Sequence, residues 1–225
     1  MITNLPLYVY GTFFVAVLFS ILQFYRAGTK SKLFIIGIVF WGIVHSMLAI
    51  SGFYDHTQTI PPRFILVILP MPAIILATIF SKKMQHWLHT FNLKQITYLH
   101  TVRILVEIVL YWLFLEKYIP EILTFEGRNF DILAGITAPI VALVAFRNNT
   151  INKPLLLTWN VISLLLLFNV IIYAILSTPT ALQQVAFNQP NIAVMKFPFL
   201  LLPAVIVPIV LISNLAGFVL LQRKG

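Results

Sequence analysis

The sequence predicts an all-α, polytopic membrane protein: a single bundle of seven transmembrane helices occupying residues 1–225. Three observations carry this. The chain is 60% hydrophobic and only 9% charged, with a mean hydropathy of +0.96, which leaves too little polar surface to cover a soluble domain. Seven apolar runs follow one another along it, and a spanning helix needs about 20 residues, so they use up most of the length. Basic residues alternate between the connecting loops in a regular way, as the topology of a membrane protein requires.

The apolar runs are 7–25, 33–53, 64–80, 96–118, 132–146, 155–176 and 199–221. The start Met-Ile-Thr-Asn-Leu-Pro carries no basic residue before the first run, and no small-residue cleavage site follows, so the first run reads as a span that stays in place and not as a signal peptide. The third and fifth runs are short and must borrow flanking residues or stand with little tilt. Pro70 and Pro72 in the third, Pro139 in the fifth, and Pro203 and Pro208 in the seventh each remove a backbone donor. They predict kinks, often found where a helix lines a cavity.

Loop charge orients the bundle. Arg26, Lys30, Lys32, Lys82, Lys83, Lys94, Arg147, Lys153, Arg223 and Lys224 fall on one side; Arg63, Lys117, Arg128 and Lys196 fall on the other, together with Asp55, Glu116, Glu121, Glu126 and Asp131. The positive-inside rule then puts the N-terminus outside and the C-terminus in the cytoplasm, in a plasma membrane of bacterial type. The net charge of +9 is thus spent on topology and not on nucleic acid. Without cysteine, disulfides, thiolate nucleophiles and iron–sulfur ligands are excluded.

A candidate internal repeat is visible. Arg26 to Lys32 and Arg147 to Lys153 both read R-x-x-T-x-x-K; Phe64 to Pro70 and Phe197 to Pro203 both read F, then aliphatic residues, then L-P. Two parallel three-helix units joined by the fourth span, a 3+1+3 arrangement, would explain these matches. Basic inner loops and common apolar strings explain them equally.

The fourth span is the exception among the seven. It alone holds two formal charges, Arg103 and Glu107, four residues apart and therefore stacked on one helix face, with His100 a turn before and Tyr111 a turn after. Two such charges cost roughly 5–7 kcal/mol on insertion scales, so this helix is expected in the middle of the bundle. At about 1.5 Å per residue, Asn160 and Asn214 come level with Arg103, His45 with Glu107, and Asn169 with Tyr111. The expected site uses Arg103 to anchor an anionic group, Glu107 as its partner or a protonatable group, and His45 as a second proton acceptor. The structural alternative has Arg103 and Glu107 neutralising each other, with the Asn side chains bonding between helices.

The loops carry less. The outer segment 120–131 reads as a solvated interfacial loop, and its carboxylates match no calcium-loop spacing. In 177–196, Gln183, Gln184, Asn188 and Gln189 are expected to face water. On the inside, Lys82, Lys83, His86, Trp87, His89 and Lys94 suit anionic headgroups. Hydrolase, zinc-protease, P-loop and dinucleotide motifs are absent, so no catalytic residue, metal or cofactor is assigned.

Seven spans with the N-terminus outside resemble the topology of the rhodopsins and of the seven-helix SWEET sugar transporters, and a 3+1+3 repeat resembles the latter. The seventh span has no Lys for a retinal linkage, and no proline–glutamine signature of the sugar transporters occurs. The resemblance is one of architecture. Function is therefore expected from the polar site: a small carrier for a polar or anionic solute, with a receptor acting through a protein partner and a lipid-modifying enzyme as alternatives. The partners expected are the bilayer, the solute, and a second copy or another protein.

Overall fold

In the computed structural model, residues 2, 5–29, 32–147 and 150–222 are described. Of the residues used above, Met1, Thr3, Asn4, Lys30, Ser31, Asn148, Asn149, Arg223 and Lys224 lie outside the described residues. Every regular element among the described residues is helical. Helix α1 is Leu7–Phe24, α2 Lys32–Ile50, α3 Ile65–Ile68, α4 Pro70–Phe80, α5 Lys82–Leu88, α6 Leu93–Leu99, α7 Val102–Leu115, α8 Asp131–Val144, α9 Lys153–Ser177 and α10 Val207–Leu221.

Among the described residues, four helical stretches are long and apolar enough to cross a membrane: Leu7–Gly28, Leu93–Leu115, Lys153–Ser177 and Leu202–Leu221. A fifth candidate, Ile65–Phe80, continues into α5 through a bend of 97°. Pro70 does not break it, because Leu69 keeps helical angles of φ −51° and ψ −35°. The bend comes at Ser81, which is extended, accepts from the Met84 amide at 3.3 Å, and starts α5 as its cap. Gln85 then reaches back to the Thr78 and Ile79 carbonyls at 3.0 and 3.2 Å, satisfying acceptors that the end of α4 leaves open.

Each long helix buries one stripe. In α1 it is Val9, Phe13, Ala16, Ser20 and Phe24, spaced by three and four residues. In α9 it is Leu156, Asn160, Ser163 and Leu167. Over 35–50, the part of α2 whose side chains are described, Gly42, His45 and Ala49 are buried and Ile36, Val39, Phe40, Ile43 and Met47 are exposed, as in a helix flanked by lipid. The most enclosed stretch is Leu202–Leu221, 61% buried against 50% for Leu93–Leu115. The seventh run and not the charged fourth is therefore the centre of the bundle: α10 carries no charge and is buried continuously from Pro208 to Asn214, whereas α7 needs only one lined face for its charges.

The outer loops depart furthest from expectation. Residues 116–130 fold inward, with Ile119, Leu123, Thr124 and Asn129 buried. Helix α8, which follows, is short: its 14 residues rise about 21 Å, less than a hydrocarbon core of about 30 Å. The loop 178–201 is laced onto this one. Ile192 N donates to the Tyr118 carbonyl at 3.1 Å, and Gln189 Nε2 to the Phe114 and Ile119 carbonyls at 3.1 and 2.6 Å. Gln189, expected in water, is thus a structural strut, while Gln184 and Asn188 are exposed as expected. Lys196 pairs with Asp55 at 2.6 Å and ties in the third outer segment.

One close approach positions the site. A Cβ on Gly135 of α8 would lie 2.9 Å from the Ile104 amide and side chain and 3.2 Å from Arg103 Cβ, so glycine lets α8 lie directly on α7. Gly135→Val is expected to destabilise the protein by about 1–3 kcal/mol and to lower the melting temperature in detergent. Gly11→Val, whose Cβ meets nothing within 4 Å, is the control and leaves melting unchanged. Equal melting of the two variants would contradict this packing.

Candidate functional site

The turn before α7 is overwound. The amides of His100, Thr101, Arg103 and Ile104 bond to carbonyls three residues back, at 3.0–3.3 Å. A three-residue turn brings residues i and i+3 into line, yet His100 and Arg103 meet different neighbours. The single stripe from His100 to Tyr111 does not form. His100 lies edge-on to Trp159 at 5.2 Å, buried, with its Nδ1 unpartnered. Tyr111 stacks on Phe125 at 4.9 Å.

Arg103 and Glu107 stay together, but they are not each other's counterions. Arg103 Nη1 donates to Asp131 Oδ1 at 2.7 Å and to the Ser163 carbonyl at 3.0 Å. Glu107 Oε1 accepts from Asn129 Nδ2 at 2.6 Å. Asn129 also donates to the Leu123 carbonyl and accepts from the Asp131 amide, both at 3.0 Å, so one side chain fixes the loop, Glu107 and the start of α8. All four polar residues are at most 5% exposed. Asp131 stands at the first position of α8, where the helix dipole favours negative charge.

This corrects two expectations. Asp131 belongs to the buried cluster and not to the outer charges, and the ion pair joins α7 to α8 instead of closing within α7. Asp131, Asn129 and Ser163 were missed by sequence reasoning. The available signal was the shortness of the fifth apolar run, which leaves room for the acid just ahead of it to lie inside the bundle.

The cluster is incompletely paired. Arg103 Nε and Nη2, Glu107 Oε2 and the Ser163 hydroxyl are buried without a partner. Buried polar groups are ordinarily bonded, so several exceptions within one cluster mark a place where a partner is lacking. Arg103, Glu107 and Asp131 form one end of a cavity of about 80 Å³. Its other walls are apolar, among them Phe64, Met71, Leu110, Leu167, Pro203 and Ile206. Pro203 and Ile206 belong to Leu202–Ile206, a widened turn leading into α10. Widened turns of this kind are frequent at functional sites.

The remaining expected site residues lie elsewhere. His45 shares a 2.5 Å hydrogen bond with Tyr54 and lies against Trp41 at 4.1 Å. Tyr54 meets Phe64 edge-on, so His45 reaches the cavity wall only through two aromatic rings. Asn160 donates to the Asn214 carbonyl at 2.9 Å, and Asn214 to the Val210 carbonyl at 3.3 Å; both sit in the α9–α10 packing beside Gly217. Asn169 donates to the Arg128 carbonyl at 2.7 Å and holds the outer loop. The structure brings together Arg103 and Glu107 of the eight expected residues, and adds Asp131, Asn129 and Ser163.

Removing one member of a buried pair leaves an uncompensated charge, which costs about 3–5 kcal/mol. Arg103→Gln and Asp131→Leu should each lose about that much, and the double variant less than the sum. Glu107→Gln keeps an acceptor for Asn129 and should change stability by no more than about 1 kcal/mol. Reversible unfolding in mixed micelles measures all four; additive losses would show that Arg103 and Asp131 are not coupled.

Residues 60–222, well over half of the chain and including every member of the buried cluster, match the family described as Domain of unknown function (DUF8737). Comparison with curated proteins and with solved structures gives no match. His45 and the whole of α1 and α2 fall outside the matched region. The chain belongs to the DUF8737 family.

Proposed function

We propose that the protein is a seven-span carrier for a small carboxylate or similar polar, acidic solute, bound at Arg103 and Glu107 and moved together with a proton. The observation that carries this reading is the set of unmet groups on two side chains lining one cavity: donors on Arg103 and an acceptor on Glu107. A carboxylic acid head matches both, since its carbonyl oxygen accepts from the guanidinium while its hydroxyl donates to the carboxylate. The apolar remainder of the cavity suits a short alkyl chain.

The seven-span reading adds Ile65–Phe80 and the shorter apolar helices Ile35–Ile50 and Asp131–Val144 to the four long ones. The orientation, N-terminus outside, is supported by the exposed basic residues Arg26, Lys82, Lys83, Lys94, Arg147 and Lys153. A 3+1+3 repeat would pair α1, α2 and α3–α4 with α8, α9 and α10. In its favour, both F…L-P segments contribute to the cavity, through Phe64 and Ile68 and through Leu202 and Pro203. Against it, α8 and α9 lie side by side, whereas α2 leans on the segment before α10, with Gly42 against Val205 and Leu201.

A second reading, a receptor that retains its ligand, is favoured by the small size of the cavity and by the tie between Arg103 and Asp131. Melting scans with acetate, butanoate and hexanoate, and with the matching alkylamines, separate the readings. A ligand at 100 times its Kd stabilises by about 2.7 kcal/mol, so the acids are expected to raise melting and the amines to leave it unchanged. Proteoliposomes should then take up labelled butanoate down a proton gradient, and Glu107→Gln should abolish uptake without unfolding. Stabilisation without uptake would establish the receptor; stabilisation by neither series would remove Arg103 and Glu107 as a ligand site.

A further inference from the structure

We infer that the crevice between α2 and α4 is a binding site for one acyl chain of an anionic phospholipid, whose headgroup rests on Lys83. The crevice has a volume of about 820 Å³ and is floored by α10 through Pro208 and Ile212 and by Ala204 of the widened turn before it. Its walls are Gly37 and Trp41 of α2 and Pro70 and Ile74 of α4, and Ser81, Lys83 and Trp87 close its inner end. That volume lies in the range of roughly 300–1,000 Å³ typical of small-molecule sites.

Its length fits a single leaflet. From Pro70 to Ser81 the chain rises about 16 Å, near half of a hydrocarbon core of about 30 Å. A lipid in the cytoplasmic leaflet therefore has its chain in register with the crevice and its headgroup at the level of α5. The walls are apolar where a chain would lie, and the helices flanking the opening already expose Phe40, Leu76 and Ile79 to the bilayer.

The inner end supplies the charge complement. Helix α5 turns 97° away from α4 and is held there by Gln85, so Lys82 and Lys83 lie along the membrane surface. Both are exposed, and among the described residues neither is in an ion pair. Lys83 lines the crevice while Lys82 lies beside it in sequence, and Trp87 contributes an amphipathic ring at headgroup depth. One opening thus joins an apolar slot of one-leaflet length to an unpaired cation at its mouth.

Gly37 provides a clean test, because a Cβ there meets nothing within 4 Å and a larger side chain would project without backbone strain. The purified full chain is equilibrated in nanodiscs of phosphatidylglycerol and phosphatidylcholine in equal parts, transferred to detergent, and its retained lipid counted by native mass spectrometry. The expected result is retained phosphatidylglycerol, with at least fivefold preference over phosphatidylcholine. Lys83→Gln should abolish the preference, and Gly37→Leu should reduce retention of both lipids at unchanged melting temperature. Retention of both lipids alike by the wild type, or phosphatidylglycerol retention unaltered in both variants, overturns the proposal. A wild-type dimer that Gly37→Leu dissolves also overturns it, since a second copy of the chain would then fill the crevice.

Discussion

The ion pair between Arg103 and Asp131 is the constraint on which the rest of the structure depends. A guanidinium inside an apolar bundle is tolerable only with an opposing charge and further acceptors at its donors. Asp131 supplies the charge from α8 and the Ser163 carbonyl supplies an acceptor from α9, so one side chain joins three helices. For Asp131 to reach that depth, α8 must begin inside the bundle, and the chain before it must descend with its polar groups satisfied. Asn129 does this for the last turn of the loop by bonding Glu107, Leu123 and Asp131 at once. Gly135 then permits the helix contact without which the pair would be too far apart.

The same constraint shapes the outer face. A loop drawn into the bundle leaves carbonyls of Phe114, Tyr118 and Ile119 to be covered, and the loop 178–201 covers them with Gln189, Ile192 and Ala193. Arg128, at the turn of the inward loop, is in turn fixed by Tyr173 and, through its carbonyl, by Asn169. Gly127 completes the turn, since a Cβ there would lie 2.2 Å from the Glu121 carbonyl oxygen. The cap at this end of the bundle is thus a consequence of burying one arginine, and its polar residues act as struts more than as a recognition surface.

Helix content and the position of the long apolar helices were legible in the sequence because hydrophobic length and the absence of polar residues are local properties. The choice of the fourth span as exceptional was legible for the same reason. What was not legible was the partner of each polar residue. The spacing rule sets His100 a turn before Arg103 but does not say what each packs against, and His100 lies edge-on to Trp159. Depth counted from helix ends assumes that every helix begins at the surface of the bundle, whereas Asp131 at the start of α8 is buried against Arg103. His45 was aligned with Glu107 by such counting, yet level does not determine facing, and its stripe points toward Tyr54. Pairing across helices is set by packing, and one sequence carries little information about it.

Charge balance gives the cluster its chemical character. One guanidinium faces two carboxylates, so with all three ionised the cluster holds an excess negative charge in surroundings of low polarity. Asp131 is committed to Arg103, which leaves the excess on Glu107, held by a single neutral donor at Oε1 and by nothing at Oε2. A bare anion arriving at Arg103 would double that excess. An acid carrying its own proton would not, because the proton comes to lie between the two carboxyl groups and the pair bears one charge where two would repel. On the carrier reading, an excess carboxylate would make proton and solute arrive together, and an alkylammonium head, which offers nothing to the free donors of Arg103, would be a poorer fit despite its favourable charge.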